Sequence, residues 1–199
     1  MAAQTPESEA NFLQVYLADF FGIPAAHLEQ IQNFFQAERI SKGGFHSKQG
    51  GNCDRLSFVK SGMLRMHRLH GDREITHWIS GPGYFVVDLN SFLFAQPSRF
   101  DIQALSDCEV YTIYKRDYDR IGDEVPEWNE LEKRFMAKCF AMLEERMFAQ
   151  ISLSAAERYA MLEAQQPELI REVPLHYLAS MLGMSAETLS RVRAKGFGE

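Results

Sequence analysis

The stretch VPLHYLASMLGMSAETLSRVRAK, residues 173–195, decides the architecture. Pro174 opens a helix, since its ring presets a helical φ and its missing N–H is not needed in a first turn. Leu175, Leu178, Ala179 and Leu182 recur at three- and four-residue steps and give that helix one inward face. Gly183 then ends it, supplying a backbone conformation that other residues resist. Ser185 stands where an N-cap is needed, with Glu187 and Thr188 behind it, and a second helix runs to Lys195. Small Ala179 lets the helices approach closely, and Met184 and Leu189 plug the space between them. Helix, short turn and helix at this spacing form a helix-turn-helix pattern.

The second helix turns Ala186, Glu187, Ser190, Arg191, Arg193 and Lys195 outward. Arginine pairs bidentately with guanine, glutamate accepts from cytosine, and serine contacts either base edges or phosphates. Ser185, Glu187, Thr188, Ser190, Arg191, Arg193 and Lys195 are therefore the expected DNA-binding residues. An ordinary amphipathic hairpin with a solvated basic face is the competing reading. The whole chain carries a net charge of −6, so a nucleic-acid surface requires local concentration of its bases. Residues 154–199 hold six acids and five bases, yet three of those bases fall within residues 191–195.

Upstream, residues 9–35 read helical. Phe12, Val15, Tyr16, Asp19 and Phe20 are spaced for one helix, closed by Gly22 and Pro24, and Leu28, Ile31, Phe34 and Phe35 mark a second. Residues 38–115 alternate apolar and polar in short runs such as Arg55-Leu56-Ser57-Phe58-Val59 and Glu109-Val110-Tyr111-Thr112-Ile113-Tyr114. Turn signals at Lys42-Gly43-Gly44, Gly50-Gly51-Asn52, Ser61-Gly62, His70-Gly71-Asp72 and Gly81-Pro82-Gly83 separate them. Strands at such spacing predict an antiparallel roll or barrel.

After Pro126, residues 128–153 contain neither glycine nor proline and predict a helix about 39 Å long at roughly 1.5 Å per residue. Leu131, Phe135, Cys139 and Met142 form one apolar stripe on it; Met136, Phe140, Leu143, Met147 and Ile151 form another. Two stripes need two partners. Burial inside a helical bundle would satisfy both; alternatively one stripe packs on the β-region and the other on a second copy. Leu131, Phe135, Cys139, Met142, Met136, Phe140, Leu143 and Met147 are thus the candidate dimer contacts. Arg146 interrupts the first stripe, and no clean heptad runs the whole length.

The segment around Ser185, Glu187, Thr188 and Arg191 resembles the Ser-x-Glu-Thr-x-x-Arg recognition helix of the Crp/Fnr superfamily of bacterial transcription regulators. SFVKSGMLRMHRLHGDREITHWISGPGYF, residues 57–85, is similar to the middle of that family's cyclic-nucleotide-binding roll, with turns at Lys60-Ser61-Gly62 and Gly81-Pro82-Gly83. The resemblance implies an α+β chain: N-terminal helices, an antiparallel β-roll, a long dimerisation helix and a C-terminal helix-turn-helix. It implies a sensor at residues 1–126, a dimerisation helix at 127–153 and a DNA-binding unit at 154–199. The implied partners are double-stranded DNA at a palindromic site, a second copy of the chain, a small-molecule effector and RNA polymerase.

Two departures from that family stand out. Cyclic-nucleotide binders carry a Gly-Glu pair after the glycine turn, then Arg followed by Ser or Thr, for the ribose hydroxyl and the cyclic phosphate. Here Val87-Asp88 occupies the first position, and the second is inverted to Ser98-Arg99. Cyclic AMP is therefore not expected as effector. Asp88, Ser98 and Arg99 are left as a degenerate ligand site, or as an ordinary surface acid and base, beside a pocket made bulky by Phe85, Phe92 and Phe94. The second departure follows Lys195, where only Gly196-Phe197-Gly198-Glu199 stands in place of the family's β-hairpin wing; fewer phosphate contacts then predict weaker binding per subunit.

Other chemistry finds less support. His67, His70, Glu74 and His77 invite comparison with metal-dependent cupin enzymes, but those use His-x-His, whereas His-x-x-His places the rings on opposite strand faces. Cys53, Cys108 and Cys139 lack clustering for an iron–sulfur site and favour a reducing compartment, with Cys108 and Cys139 expected as buried thiols. No cofactor, resident metal or enzymatic activity is expected. At 199 residues with 46% hydrophobic content there is room for a core and one smaller unit. Apolar runs stay well below the roughly 18–20 residues of a membrane span, and residues 1–9 lack signal-peptide character, so a cytoplasmic protein is expected. A ligand- or protein-binding roll with a vestigial tail remains the alternative class.

Overall fold

The structure, a computed structural model, describes residues 6–195. Two helices, α1 (Pro6–Phe21) and α2 (Ala25–Gln32), precede eight strands: β1 (Gln36–Ile40), β2 (Phe45–Ser47), β3 (Arg55–Ser61), β4 (Leu64–His70), β5 (Arg73–Ser80), β6 (Phe85–Val86), β7 (Asp101–Ala104) and β8 (Cys108–Tyr114). Short α3 (Leu89–Phe94) interrupts the strands between β6 and β7. Then follow α4 (Lys115–Tyr118), α5 (Ile121–Glu124), α6 (Trp128–Ser152), α7 (Ala155–Gln165), α8 (Pro167–Glu172), α9 (Leu175–Met181) and α10 (Ala186–Lys195).

The strands form two antiparallel sheets, β1-β8-β3-β6 and β2-β7-β4-β5, facing each other as a roll. Strand alternation explains how one chain clothes both sides of the first sheet. On β3, Leu56 and Phe58 turn toward Leu13, Leu17 and Ile31 of the N-terminal helices and toward Leu131 and Phe135 of α6. Val59 instead faces the roll interior with Leu64, Met66, Ile102 and Val110.

Ser57 enters a polar chain inside the roll. His46 Nε2 meets Ser57 Oγ at 3.0 Å, Ser57 Oγ meets Thr112 Oγ1 at 2.8 Å, and Thr112 Oγ1 donates to Glu38 Oε2 at 3.3 Å. Full burial, aided by the Arg55 charge, pushes the His46 pKa down to about 3. That imidazole stays neutral at ordinary pH.

A third apolar cluster joins Met63 and Ile79 of the roll to Leu169, Val173, Leu178, Ala179 and Leu189 of the C-terminal helices. The helical unit therefore docks on the second sheet, against edge strand β5. Ser180 Oγ accepts the Thr76 N–H at 2.9 Å, capping part of the edge that an open strand would expose. Buried Arg65 sits 3.7 Å from the Tyr177 ring centroid and donates to Thr76 Oγ1 at 2.9 Å and Glu74 Oε2 at 2.6 Å. Among the described residues no helix is long and apolar enough to cross a membrane.

Candidate nucleic-acid interface and sensor cavity

The turn between α9 and α10 is built by two local devices. Gly183 adopts φ +67°, a left-handed backbone that favours glycine, and a Cβ there would displace only the end of the Gln150 side chain on α6, so the need for glycine is conformational. Ser185 Oγ accepts the Thr188 N–H at 3.1 Å and lies 3.1 Å from Thr188 Oγ1, the N-cap expected from the sequence. Thr188 is half-buried, its hydroxyl engaged with that cap. Beneath α10, Leu189 is fully buried against Leu178 and Ala179.

Glu187, Ser190 and Arg191 share one exposed face of α10. The first-turn backbone and the Ser185 hydroxyl hold the Glu187 carboxyl below its usual range. Arg191 Nε donates to the Glu187 carbonyl at 3.3 Å, leaving most of its guanidinium in solvent. Arg193 differs from expectation: although exposed, it leans back onto Tyr159 of α7, whose hydroxyl donates to Glu163 at 3.3 Å. At about 100° per residue Arg193 falls beside buried Leu189 rather than beside Arg191, which is why a simple outward list misplaces it. The Lys195 side chain and residues 196–199, where the wing was expected to be missing, lie outside the described residues.

The long helix divides its stripes between environments. Leu131 and Phe135 are buried within their own chain, packed under β3, so both leave the expected dimer surface. Met136 and Cys139 pack against the same cluster, and Cys139, Met142 and Leu143 line a sensor cavity. Phe140, Leu143 and Met147 remain bare, joined by Phe148 and Ile151, at 50–79% exposure. Arg146, which interrupts the first stripe, donates to the Met181 carbonyl at 3.2 Å and lies 5.0 Å from the Trp78 ring centroid. It ties α6 to the end of α9.

In the sensor, Asp88 is only 2% exposed, which excludes a surface acid. Its Oδ2 accepts from the Arg99 N–H at 2.8 Å and from Ser98 Oγ at 3.2 Å. Asp88 Oδ1 has no hydrogen-bond partner, and Arg99 Nη2 stands 3.6 Å away. Arg99 itself is largely exposed above the Phe100 ring. An internal carboxylate thus occupies the Arg99 backbone donor that an anionic ligand would need, and it shares the Ser98 hydroxyl with the Phe100 carbonyl at 3.0 Å. Beside it lies a cavity of about 190 Å³ walled by His77, Trp78, Tyr84, Phe85, Val87 and Phe100. His77 stacks on Phe100 with centroids 4.9 Å apart; desolvation, then the charges of Arg146, Arg68 and Arg99, lower its pKa to about 4. Phe92 is buried in the core whereas Phe94 is exposed, so neither shapes this pocket.

The histidines do not gather. His67 is buried, with Nε2 3.6 Å from Glu74 Oε2; His70 is exposed at the β4–β5 turn; His77 stands on Phe100. Among the described residues no group of three His, Cys, Asp or Glu side chains is placed to hold a metal. No sequence pattern signals the buried Arg65–Tyr177 contact, because it joins residues far apart in the chain.

The cyclic nucleotide-binding domain family matches residues 37–124. The chain is 25% identical over 182 residues to the Cyclic AMP receptor protein of Thermus thermophilus, covering 87% of this chain and 82% of that protein. It is 24% identical over 185 residues to the Transcriptional regulatory protein btr of Bordetella pertussis, covering 86% and 75%. FixK2 from Bradyrhizobium japonicum shares the fold at a TM-score of 0.67, with 16% identity over 83% of this chain and 89% of that one. Residues 37–124 thus match the cyclic nucleotide-binding domain, and with a capped helix-turn-helix behind the long helix the chain is similar along most of its length to transcription regulators of the Crp/Fnr type.

Proposed function

We propose that the protein is a homodimeric, DNA-binding transcription regulator of the cytoplasm whose sensor does not answer to cyclic AMP. The observation that carries the DNA reading is the exposed face of α10. Glu187, Ser190 and Arg191 project from a helix whose opposite side is anchored by Leu189 and whose start is capped by Ser185. Such a helix presents base-reading groups at its N-terminal end, where a major groove receives them. Residues 1–126 act as sensor, 127–153 as dimerisation helix and 154–199 as DNA-binding unit. The bare stripe of Phe140, Leu143, Met147, Phe148 and Ile151 supplies the dimer contact, and two-fold symmetry places the recognition helices about 34 Å apart on a palindromic site.

The start of α10 shares a groove with Arg73 and Glu74 of β5. On this reading the docked arrangement is a resting one, and a duplex is engaged when the helix pair swings off β5. Charge argues against cyclic AMP: its phosphate would meet the buried Asp88 carboxylate, which already accepts the Arg99 N–H and shares the Ser98 hydroxyl with the Phe100 carbonyl.

Selection from a pool of random duplexes, followed by sequencing, tests the DNA reading. A two-fold-symmetric site is the expected outcome, and no enrichment over the starting pool would refute it. Calorimetry with cyclic AMP at micromolar to millimolar concentration should show no saturable heat; clear binding would overturn the reading of Asp88.

A further inference from the structure

A second cavity, of about 400 Å³, lies next to the sensor pocket where roll, long helix and DNA-binding unit meet. That volume falls within the roughly 300–1,000 Å³ typical of small-molecule sites. Trp78 and Tyr84 of the sensor form one wall, Met142 and Arg146 of α6 another, and Arg158 of α7 and Met181 of α9 close it. The proposed dimer stripe faces away from it. At about 100° per residue, Met142, Arg146 and Ala149 lie on the face of α6 opposite Phe140, Leu143, Met147 and Ile151.

The charges in this cavity are unbalanced. Lys138, Arg146 and Arg158 line it, whereas Glu145 is its only acid among the described residues. Lys138 reaches the Asp19 carbonyl. Arg146 and Arg158 have no carboxylate within ion-pair distance among the described residues; their protein partners are neutral. Arg146 Nη2 donates to Met181 O at 3.2 Å; Arg158 Nε donates to Leu182 O at 2.9 Å and Nη1 to Leu153 O at 2.7 Å. Each guanidinium keeps further N–H donors, and burial lowers the Arg146 pKa, as expected of a cation short of counter-charge. A half-buried guanidinium without an acidic partner gains most from an incoming anion.

We propose that this joint cavity binds a small aromatic carboxylate, its anionic end on Arg146 and Arg158 and its ring against Trp78 and Tyr84. The Arg146 guanidinium already lies 5.0 Å from the Trp78 ring centroid, so a carboxylate held by Arg146 brings an attached ring beside the indole. The site goes beyond the regulator reading; it adjoins the Asp88 pocket, sharing Trp78, Tyr84 and Met142 with it, while Arg146 and Arg158 line the joint cavity alone. It also has a lever: the same two arginines hold the last carbonyls of α9, so an anion drawing them away loosens the tie between long helix and helix-turn-helix.

Titration calorimetry of the full chain with 2-naphthoate, and with neutral 2-naphthamide as control, tests the assignment. One saturable site per chain is expected, with the amide weaker by about ten-fold or more. Arg146→Gln should weaken naphthoate by a similar factor. Ala141→Trp, at an exposed position on the cavity wall, should block entry while leaving both arginines and the fold intact. Circular dichroism melts establish that each variant is folded. No saturable heat, equal affinity for the amide, or unaltered affinity in folded Ala141→Trp overturns the proposal. A chain that binds naphthoate but no duplex would remove the regulator reading and leave this site standing.

Discussion

The two halves of α6 share one continuous helix and have opposite fates. In residues 128–139 the large apolar side chains Trp128, Leu131 and Phe135 are buried against β3 and the N-terminal helices. In residues 140–151 the comparable side chains Phe140, Leu143, Met147 and Ile151 stand in solvent, while Ala149 and Arg146 face inward. The first half is sensor core and folds with it. The second is a surface whose apolar area is stabilising only when another molecule covers it. The same split separates the roll interior from the face of α10: groups turned inward set stability, and groups turned outward set association.

The sharpest way to break that comparison is to truncate one large side chain in each half. Phe135→Ala removes a ring packed against Phe85, with centroids 4.9 Å apart, and should cost about 3–5 kcal/mol of unfolding free energy by urea denaturation. Phe140→Ala should change that free energy by less than about 0.5 kcal/mol at a concentration where the chain is monomeric. Equal losses would show that the second half is also buried in its own fold. The paired change Phe140→Glu with Met147→Glu carries the contrast to assembly. Sedimentation should show a monomer with unchanged melting in dilute solution, and a dimer that survives both charges would place the contact elsewhere.

A third test concerns the inward side alone. His46 has a pKa of about 3 in the fold against 6.5 for an unperturbed imidazole. Below pH 6.5 the unfolded chain takes up a proton that the folded chain refuses. Stability is therefore complete above that pH and declines as pH falls toward 3, by about 1.4 kcal/mol per pH unit for this group. His46→Gln should flatten the decline between pH 6.5 and 5, above the range where carboxylates titrate, with a residual slope from His67 and His77, whose pKa values are also lowered. An unchanged slope would mean that His46 is protonated inside the roll.

Local chemistry was legible in the sequence and long-range chemistry was not. The Ser185 cap, the Gly183 turn and the alternation along β3 depend on neighbours a few residues away, so spacing revealed them. The two stripes of α6 were visible as well, but a helical wheel does not say which stripe meets which partner. That choice rests on β3, which brings Leu56 and Phe58 to Leu131 and Phe135. Asp88 shows the same limit. Its residue type suggested surface, and only the return of the chain at Ser98 and Arg99 supplies the donors that keep it buried. Arg146 read as an interruption in an apolar pattern, because its partner Met181 lies 35 positions further on.

The smallest effect separates reading from folding on the outward side. Arg191 is exposed, and its one recorded bond runs to a carbonyl of its own helix, so Arg191→Ala should leave the melting temperature nearly unchanged. Its cost should appear only on DNA, as about 1–3 kcal/mol of specific affinity with preference relaxed at one base position. Arg193→Ala offers the internal contrast, since Arg193 rests on Tyr159 and its loss should disturb the α7–α10 packing without altering base preference. If instead Arg193→Ala relaxes the site and Arg191→Ala does not, the groove-facing side of α10 is rotated toward α7. The helix pair would then have to swing further from β5 to meet a duplex than the exposed face of Glu187, Ser190 and Arg191 requires.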